Sequence, residues 1–276
     1  MTPSDHRPRK GRDRYDLAIC TMIQGENSYL PEWIAHHLGL GVEHFFIYDN
    51  ESPTPLELTL EPEIKEGRAT VIPIRGRFRQ LDAFNLGLLR FGRKTEWMAF
   101  MDLDEFLLPK RHDCLQDLLA EYREFGGLAV NWQMFGSSGH EVRPPGLQME
   151  NFLMRAEVDY VHNRHVKSIV RPEAVDQVVS THYCRFRPGI GSVNERRVPV
   201  EGEKSAVSVD IVQINHYYTR SRKEYSEKLE RGRVDHEGPL PFTFEEIDRD
   251  LNAVRDETLL GFAPRVKEYL AERARR

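Results

Sequence analysis

Trp97-Met-Ala-Phe-Met-Asp-Leu-Asp-Glu-Phe-Leu107 runs from a continuous apolar stretch into two acids and back into apolar residues. An apolar run without polar alternation is the pattern of a strand covered on both faces. Asp102 and Asp104 stand one residue apart at the carboxyl end of that strand. If the chain turns there, both carboxylates approach one point. A polar turn is the plain reading of a lone Asp-x-Asp. Two acids between two buried runs, however, cost free energy unless they bind something. Hard divalent cations take such oxygen ligands, and a nucleoside diphosphate supplies more.

Working outward, residues 16–23 are a second apolar run, broken by Gln24-Gly25-Glu26-Asn27. A helix is predicted over 29–40, with Ser28 as its cap, Pro31 in its first turn and Gly39 and Gly41 at its end. Strands follow at 44–49 and 69–74, with a helix over 56–64 weakened by Pro62. A helix with an apolar face is predicted over 80–91, before the strand at 96–101. The first hundred residues thus alternate strand and helix, which implies an α/β fold: a mostly parallel, Rossmann-like sheet with helices on its faces. Ligands bind such sheets beyond the carboxyl ends of the strands. The polar clusters 25–27, 49–52 and 102–105 fall there.

The second half is less regular. Helices are predicted over 113–125, 221–231 and 243–259, strands over 127–134, 167–170 and 207–215, and a loop over 135–140. The expected organisation is a disordered basic tail at 1–14, one domain over 15–235, and a C-terminal helical extension over 236–276.

The chain has 276 residues, 39% hydrophobic and 30% charged, with a net charge of -5. No basic excess exists to neutralise phosphates, so a general nucleic-acid binder is excluded. Cys20, Cys114 and Cys184 form no CxxC pair, which argues against a zinc ribbon and suits a reducing compartment. No apolar run approaches the ~18 residues of a membrane span. The expectation is a cytoplasmic protein, at most peripheral at the inner face of the membrane. The basic residues of 265–276 are read as a solvated helix end ahead of a membrane-contacting face.

The segment 97–107 resembles the acidic signature of GT-A-fold glycosyltransferases of family 92 and family 2-like enzymes. Further stretches are similar to the same family in the same order: 32–52, 135–140, 166–172 and 215–221, then Lys228 and Arg231-Gly232. The resemblance spans roughly residues 16–235.

That resemblance implies a GT-A glycosyltransferase using a nucleotide-sugar donor, with a UDP-sugar first, and a glycan or lipid-linked glycan acceptor. It assigns Asp102 and Asp104 to a divalent cation, with His216 completing the shell. An imidazole ligand favours Mn²⁺ over Mg²⁺. Asp49 is expected at the nucleobase, and Gln24, Glu26 and Asn27 at the nucleoside. The Gln-Gly-Glu-Asn order departs from the family pattern there. Gln80 and Asn85 are expected near ribose and diphosphate, and Lys167 at the diphosphate. Arg220 and Arg222 are candidates to close over the phosphates. An inverting transfer needs a base; Glu195 is the first candidate, on the reading that 191–195 is an exposed loop. Glu105, Glu157 and Asp159 are alternatives, with His140 assisting or binding acceptor. Trp132 is read either as a sugar-stacking platform or as core. Two other classes stay open: a nucleotidyltransferase or other metal-dependent nucleotide-diphosphate enzyme, and a non-catalytic carbohydrate-binding domain. The first lacks a Gly-rich phosphate loop; against the second, both acids are intact.

Overall fold

The computed structural model describes residues 14–232 and 237–275. The predicted tail therefore lies outside the described residues except for Arg14. The N-terminal half contains β1 (Tyr15–Ile23), α1 (Leu30–Gly39), β2 (His44–Asp49), α2 (Leu56–Thr59), α3 (Glu61–Lys65), β3 (Ala69–Pro73), α4 (Gln80–Phe91), β4 (Thr95–Phe100) and β5 (Glu105–Pro109). There follow α5 (Leu115–Ala120), β6 (Gly127–Phe135), α6 (Gln148–Asn151), β7 (Met154–Arg155), β8 (Val166–Val170), β9 (Val175–Val178), β10 (Cys184–Phe186), β11 (Ser192–Val193) and β12 (Pro199–Val200). The chain continues with β13 (Val212–Tyr217), α7 (Arg222–Arg231), α8 (Phe244–Asp250), β14 (Val254–Arg255) and α9 (Ala263–Arg273).

The central sheet runs β11-β6-β8-β4-β1-β2-β3. β1 pairs in parallel with both β2 and β4, and β2 with β3. β8 enters antiparallel between β4 and β6. The chain leaves β1 toward β2 and β3, then returns to its other side for β4. The carboxyl ends of β1 and β4 therefore flank a topological switch point, where such sheets open a crevice for ligands. The acidic turn sits there. β13 joins β6 in parallel and β5 in antiparallel pairing, which carries His216 toward the same end.

The apolar runs are buried as read: Leu17 to Cys20, Phe45 to Tyr48 and Met98 to Ala99 are almost wholly removed from solvent. Cys20 packs in that core. Several boundaries differ. The 56–64 helix is two short pieces meeting at Leu60, with Pro62 in the first turn of the second. α1 starts at Leu30 without a side-chain cap from Ser28. α5 covers only Leu115–Ala120, and α8 stops at Asp250 because Leu251 and the turn after it lead into β14. β13 begins at Val212, since residues 208–212 are occupied in binding the Glu195 carboxylate. Phe244, Ile247, Leu259, Ala263 and Val266 belong to the main core cluster. α9 is tied down by Arg273, whose Nε lies 2.7 Å from the buried Glu63 carboxylate. No helix among the described residues is long and apolar enough to cross a membrane.

Candidate active site

After Phe100 the chain makes a tight turn. The Glu105 amide donates to the Asp102 carbonyl at 3.2 Å, and the Glu105 side chain folds back to accept the Asp102 amide at 2.9 Å. The other Glu105 oxygen accepts the Trp132 indole N–H at 2.8 Å. The Trp33 indole donates to the Glu105 carbonyl at 2.7 Å. Two tryptophans and a fully buried glutamate therefore hold the turn, so the Asp-Leu-Asp geometry is set by core packing rather than by loop chemistry.

Three carboxylates crowd this turn, and protein cations compensate them. Lys167, on β8 and 1% exposed, places its ammonium 2.7 Å from Asp102 Oδ2 and 3.6 Å from Glu105 Oε2. Gln80, from the first turn of α4, donates to Asp102 Oδ1. Lys228, on α7, lies 3.1 Å from Asp104 Oδ2, and His216 Nε2 lies 3.5 Å from Asp104 Oδ1. Buried charges demand such pairing.

The protonation states follow from these neighbours. Burial alone would raise the Asp104 carboxyl, but Lys228 and then His216 hold it well below the usual range. Burial lowers His216 below the ordinary imidazole value despite Asp104, so the imidazole is neutral at neutral pH and Lys228 is the charge that keeps Asp104 ionised. Glu105 is pushed well upward by burial and by repulsion from Asp102 and Asp104, against the pull of Lys167. Lys167 is raised because Asp102 and Glu105 outweigh its burial.

Two cavities meet at this turn, sharing Asp104, Tyr218, Lys228 and Arg231. One, of about 410 Å³, runs toward the ends of β1 and β2 past Gln24, Glu26, Glu51 and Pro53. The other, of about 370 Å³, runs past Asp102, His216 and Trp132 toward Phe242. Glu26 is paired with Arg220 at 2.6 Å and Arg231 at 3.6 Å, which ties the loop after β1 to the segment around α7. α7 starts at a capping box in which Ser221 and Glu224 exchange hydrogen bonds. Arg220, with φ 51°, stacks on Tyr29 at 3.8 Å.

The structure thus brings together Gln80, Asp102, Asp104, Lys167 and His216, with Gln24 and Glu26 on the adjoining cavity. Other candidates fall elsewhere. Asp49 accepts the amides of Ser52 and Leu56, which is the turn-forming role. Asn27 donates to the Thr54 carbonyl and to Thr59 Oγ1. Asn85 exchanges hydrogen bonds with Val178 of β9, fastening that strand to α4. Arg222 pairs with the exposed Glu141 and Glu245. His140 faces the Asn151 carbonyl and lines neither cavity. Glu195 is the plainest correction. It is buried, not on an exposed loop, and its carboxylate accepts from Ser208 Oγ and from the amides of Asp210, Ile211 and Val212. A carboxylate so occupied knits chain segments together. Trp132, at 8% exposure, is mainly a wall.

Asp102, Asp104 and His216 suit a divalent cation by type, two hard oxygens and a nitrogen on one cavity wall. The buried His216 Nδ1 has no hydrogen-bond partner. Among the described residues no three His, Cys, Asp or Glu side chains are already gathered as a metal shell. An ion bound to Asp104 would share that carboxylate with the Lys228 ammonium, which lies on Oδ2 while His216 faces Oδ1.

A largely parallel sheet with a switch-point crevice, an acidic turn at the end of β4 and a C-terminal helix make this an α/β fold whose site lies at the carboxyl ends of the strands. The sequence pattern of glycosyltransferase family 92 matches residues 15–255, and the chain belongs to that family. A family 92 protein of Ricinus communis is 30% identical over 226 residues, 77% of this chain and 36% of its own length. A galactan β-1,4-galactosyltransferase of Arabidopsis thaliana is 29% identical over 132 residues, 43% of this chain and 25% of its own. The chain spans about a third of the length of the family 92 relatives it matches. Among solved structures, S. aureus TarS 1–349 in complex with UDP overlays 58% of this chain and 47% of its own, at 13% identity and a TM-score of 0.35.

Proposed function

We propose that the chain is a metal-dependent glycosyltransferase domain that moves a sugar from a nucleotide-sugar, a UDP-sugar first, to a glycan or lipid-linked glycan, with inversion. The observation that carries this reading is the meeting of two cavities at one acidic turn. A donor reaching along the β1 and β2 ends and an acceptor entering beside Trp132 would meet at Asp104. Asp102, Asp104 and His216 would hold Mn²⁺, which when bound stabilises charge on the departing diphosphate.

The protein's own groups do the rest. Lys228 and Arg231 present cations where the two cavities join, suited to phosphate oxygens. Lys167 and Gln80 hold the Asp102 carboxylate in place. The acceptor hydroxyl forms a bond to the anomeric carbon, the bond from that carbon to the diphosphate oxygen breaks, and the hydroxyl proton passes to a base. UDP-galactose and β-1,4-galacto-oligosaccharides are the first pair to try, since the Arabidopsis relative is a galactan galactosyltransferase.

The test is a donor-hydrolysis screen over UDP-, GDP- and dTDP-sugars with Mn²⁺, reading nucleoside diphosphate release. Release from UDP-sugars above the others is expected. No release from any donor, together with no thermal stabilisation by any nucleoside diphosphate and metal, would sink the reading.

A further inference from the structure

The cavity beside Trp132 is walled by an unusual run of rings. Trp132 lies 4.2 Å from His216, 5.0 Å from His182 and 5.1 Å from His165, centroid to centroid, and His165 lies 5.4 Å from His182. His165 Nδ1 sits 2.9 Å from the His162 carbonyl, and His182 Nδ1 sits 2.9 Å from the Val166 carbonyl. A carbonyl oxygen only accepts, so each Nδ1 carries the proton and each Nε2 is left with a bare lone pair. Burial holds both rings below the ordinary imidazole value, helped by Lys204 near His165 and Lys167 near His182. Both are therefore neutral acceptors at neutral pH.

A ligand for two lone pairs must bring hydrogen. Two bare imidazole nitrogens side by side call for a donor such as O–H rather than for a further acceptor. Hydroxyl groups fit. Met134, Leu240 and Phe242 add apolar surface to the same cavity, and Thr181, Lys204, Lys228 and Arg231 add polar groups. A rim of hydroxyls around an apolar C–H face is the surface of a pyranose. The same cavity is lined by Asp102, Asp104 and His216.

The geometry points to this cavity as the acceptor-saccharide subsite, with His165 Nε2 and His182 Nε2 receiving acceptor hydroxyls; this rests on the transferase reading above. Asparagine at either position keeps an N–H where Nδ1 stood, and so the carbonyl bond, but removes Nε2. His165→Asn and His182→Asn are therefore expected to raise the acceptor KM about tenfold or more, the worth of one good hydrogen bond. Donor hydrolysis, UDP binding and melting temperature should stay near wild type.

Two measurements separate the claims. Mn²⁺-dependent UDP-sugar hydrolysis tests the transferase reading alone. Ligand-observed NMR with a panel of galacto-, gluco- and manno-oligosaccharides tests the subsite whether or not hydrolysis occurs. Binding by wild type that weakens in both asparagine variants supports the subsite. No binding by any oligosaccharide, or binding and acceptor KM unchanged in both variants, overturns it.

Discussion

The Lys228 ammonium lies 3.1 Å from Asp104 Oδ2, so a cation carried on α7 already sits on the carboxylate assigned to a divalent ion. The same ammonium lies 3.1 Å from the Tyr218 carbonyl and 4.4 Å from the Tyr218 ring. A metal on Asp104 would therefore meet the like charge of Lys228 across one carboxylate. Lys228→Gln should tighten binding of Mn²⁺ alone, by roughly tenfold, since about 1.4 kcal/mol of relieved like-charge repulsion is well within the range for partly screened charges. Paramagnetic titration of free Mn²⁺ reads this directly. An unchanged affinity would move the ion away from Asp104.

Lys167 offers a different contrast, because it is almost wholly buried between two carboxylates. Lys167→Met keeps much of the volume and leaves Asp102 and Glu105 without their counter-charge. A loss of about 3–5 kcal/mol in unfolding free energy is expected, as for other broken buried pairs. Urea denaturation measures it. A loss below about 1 kcal/mol would mean that Glu105 sits there neutral and Asp102 is adequately solvated.

How much of this was legible beforehand depends on whether local pattern or distant contact decides a residue's role. The parallel half of the sheet could be read from Leu17 to Met101, because strands buried on both faces announce themselves as unbroken apolar runs. The position of Asp102 and Asp104 at one turn could be read because they end such a run, whereas His216 follows the alternating Val212-Gln-Ile-Asn and was singled out only by the family resemblance. Glu195 was misread because its partners lie 13 to 17 residues later, on a stretch with no local signal. Asn85 was misread in the same way, since Val178 is 93 positions away. His165 and His182 went unnoticed. Only the fold around β8 brings their rings to Trp132, and no spacing rule links the three positions.

Asp104→Asn tests the site's chemistry with little disturbance to the fold. The amide is isosteric and can still accept from Lys228, and the Asp104 backbone carbonyl still receives the Tyr217 amide at 2.8 Å. Sugar transfer should fall at least about a hundredfold, given the charge stabilisation a bound metal supplies. The melting temperature should move by no more than about 4 °C. Activity within a few-fold of wild type in this variant would remove Asp104 from the cation site.

Buried histidines set part of the response to acid. His36 Nε2 donates to the Leu107 carbonyl at 2.7 Å, and His44 Nδ1 donates to the Gly67 carbonyl while its Nε2 lies 2.9 Å from Thr70 Oγ1. Burial lowers both to about 4, against 6.5 unfolded. Between pH 6.5 and 4 the unfolded chain therefore binds protons that the folded one does not. The stability from each ring is fully present above pH 6.5 and is lost as pH falls toward 4, at about 1.4 kcal/mol per pH unit per site. Glu105 and Glu32 oppose this. Their raised values mean that stability is lost as pH rises above 4.5, chiefly through burial. The net slope mixes both, so the informative quantity is a difference between variants. His44→Gln keeps a polar group near Thr70 but cannot titrate. Its unfolding free energy should fall less than wild type between pH 6.5 and 5, by roughly 1–2 kcal/mol, in urea titrations at the two pH values. Parallel curves for the two proteins would show that His44 takes up its proton in the folded state.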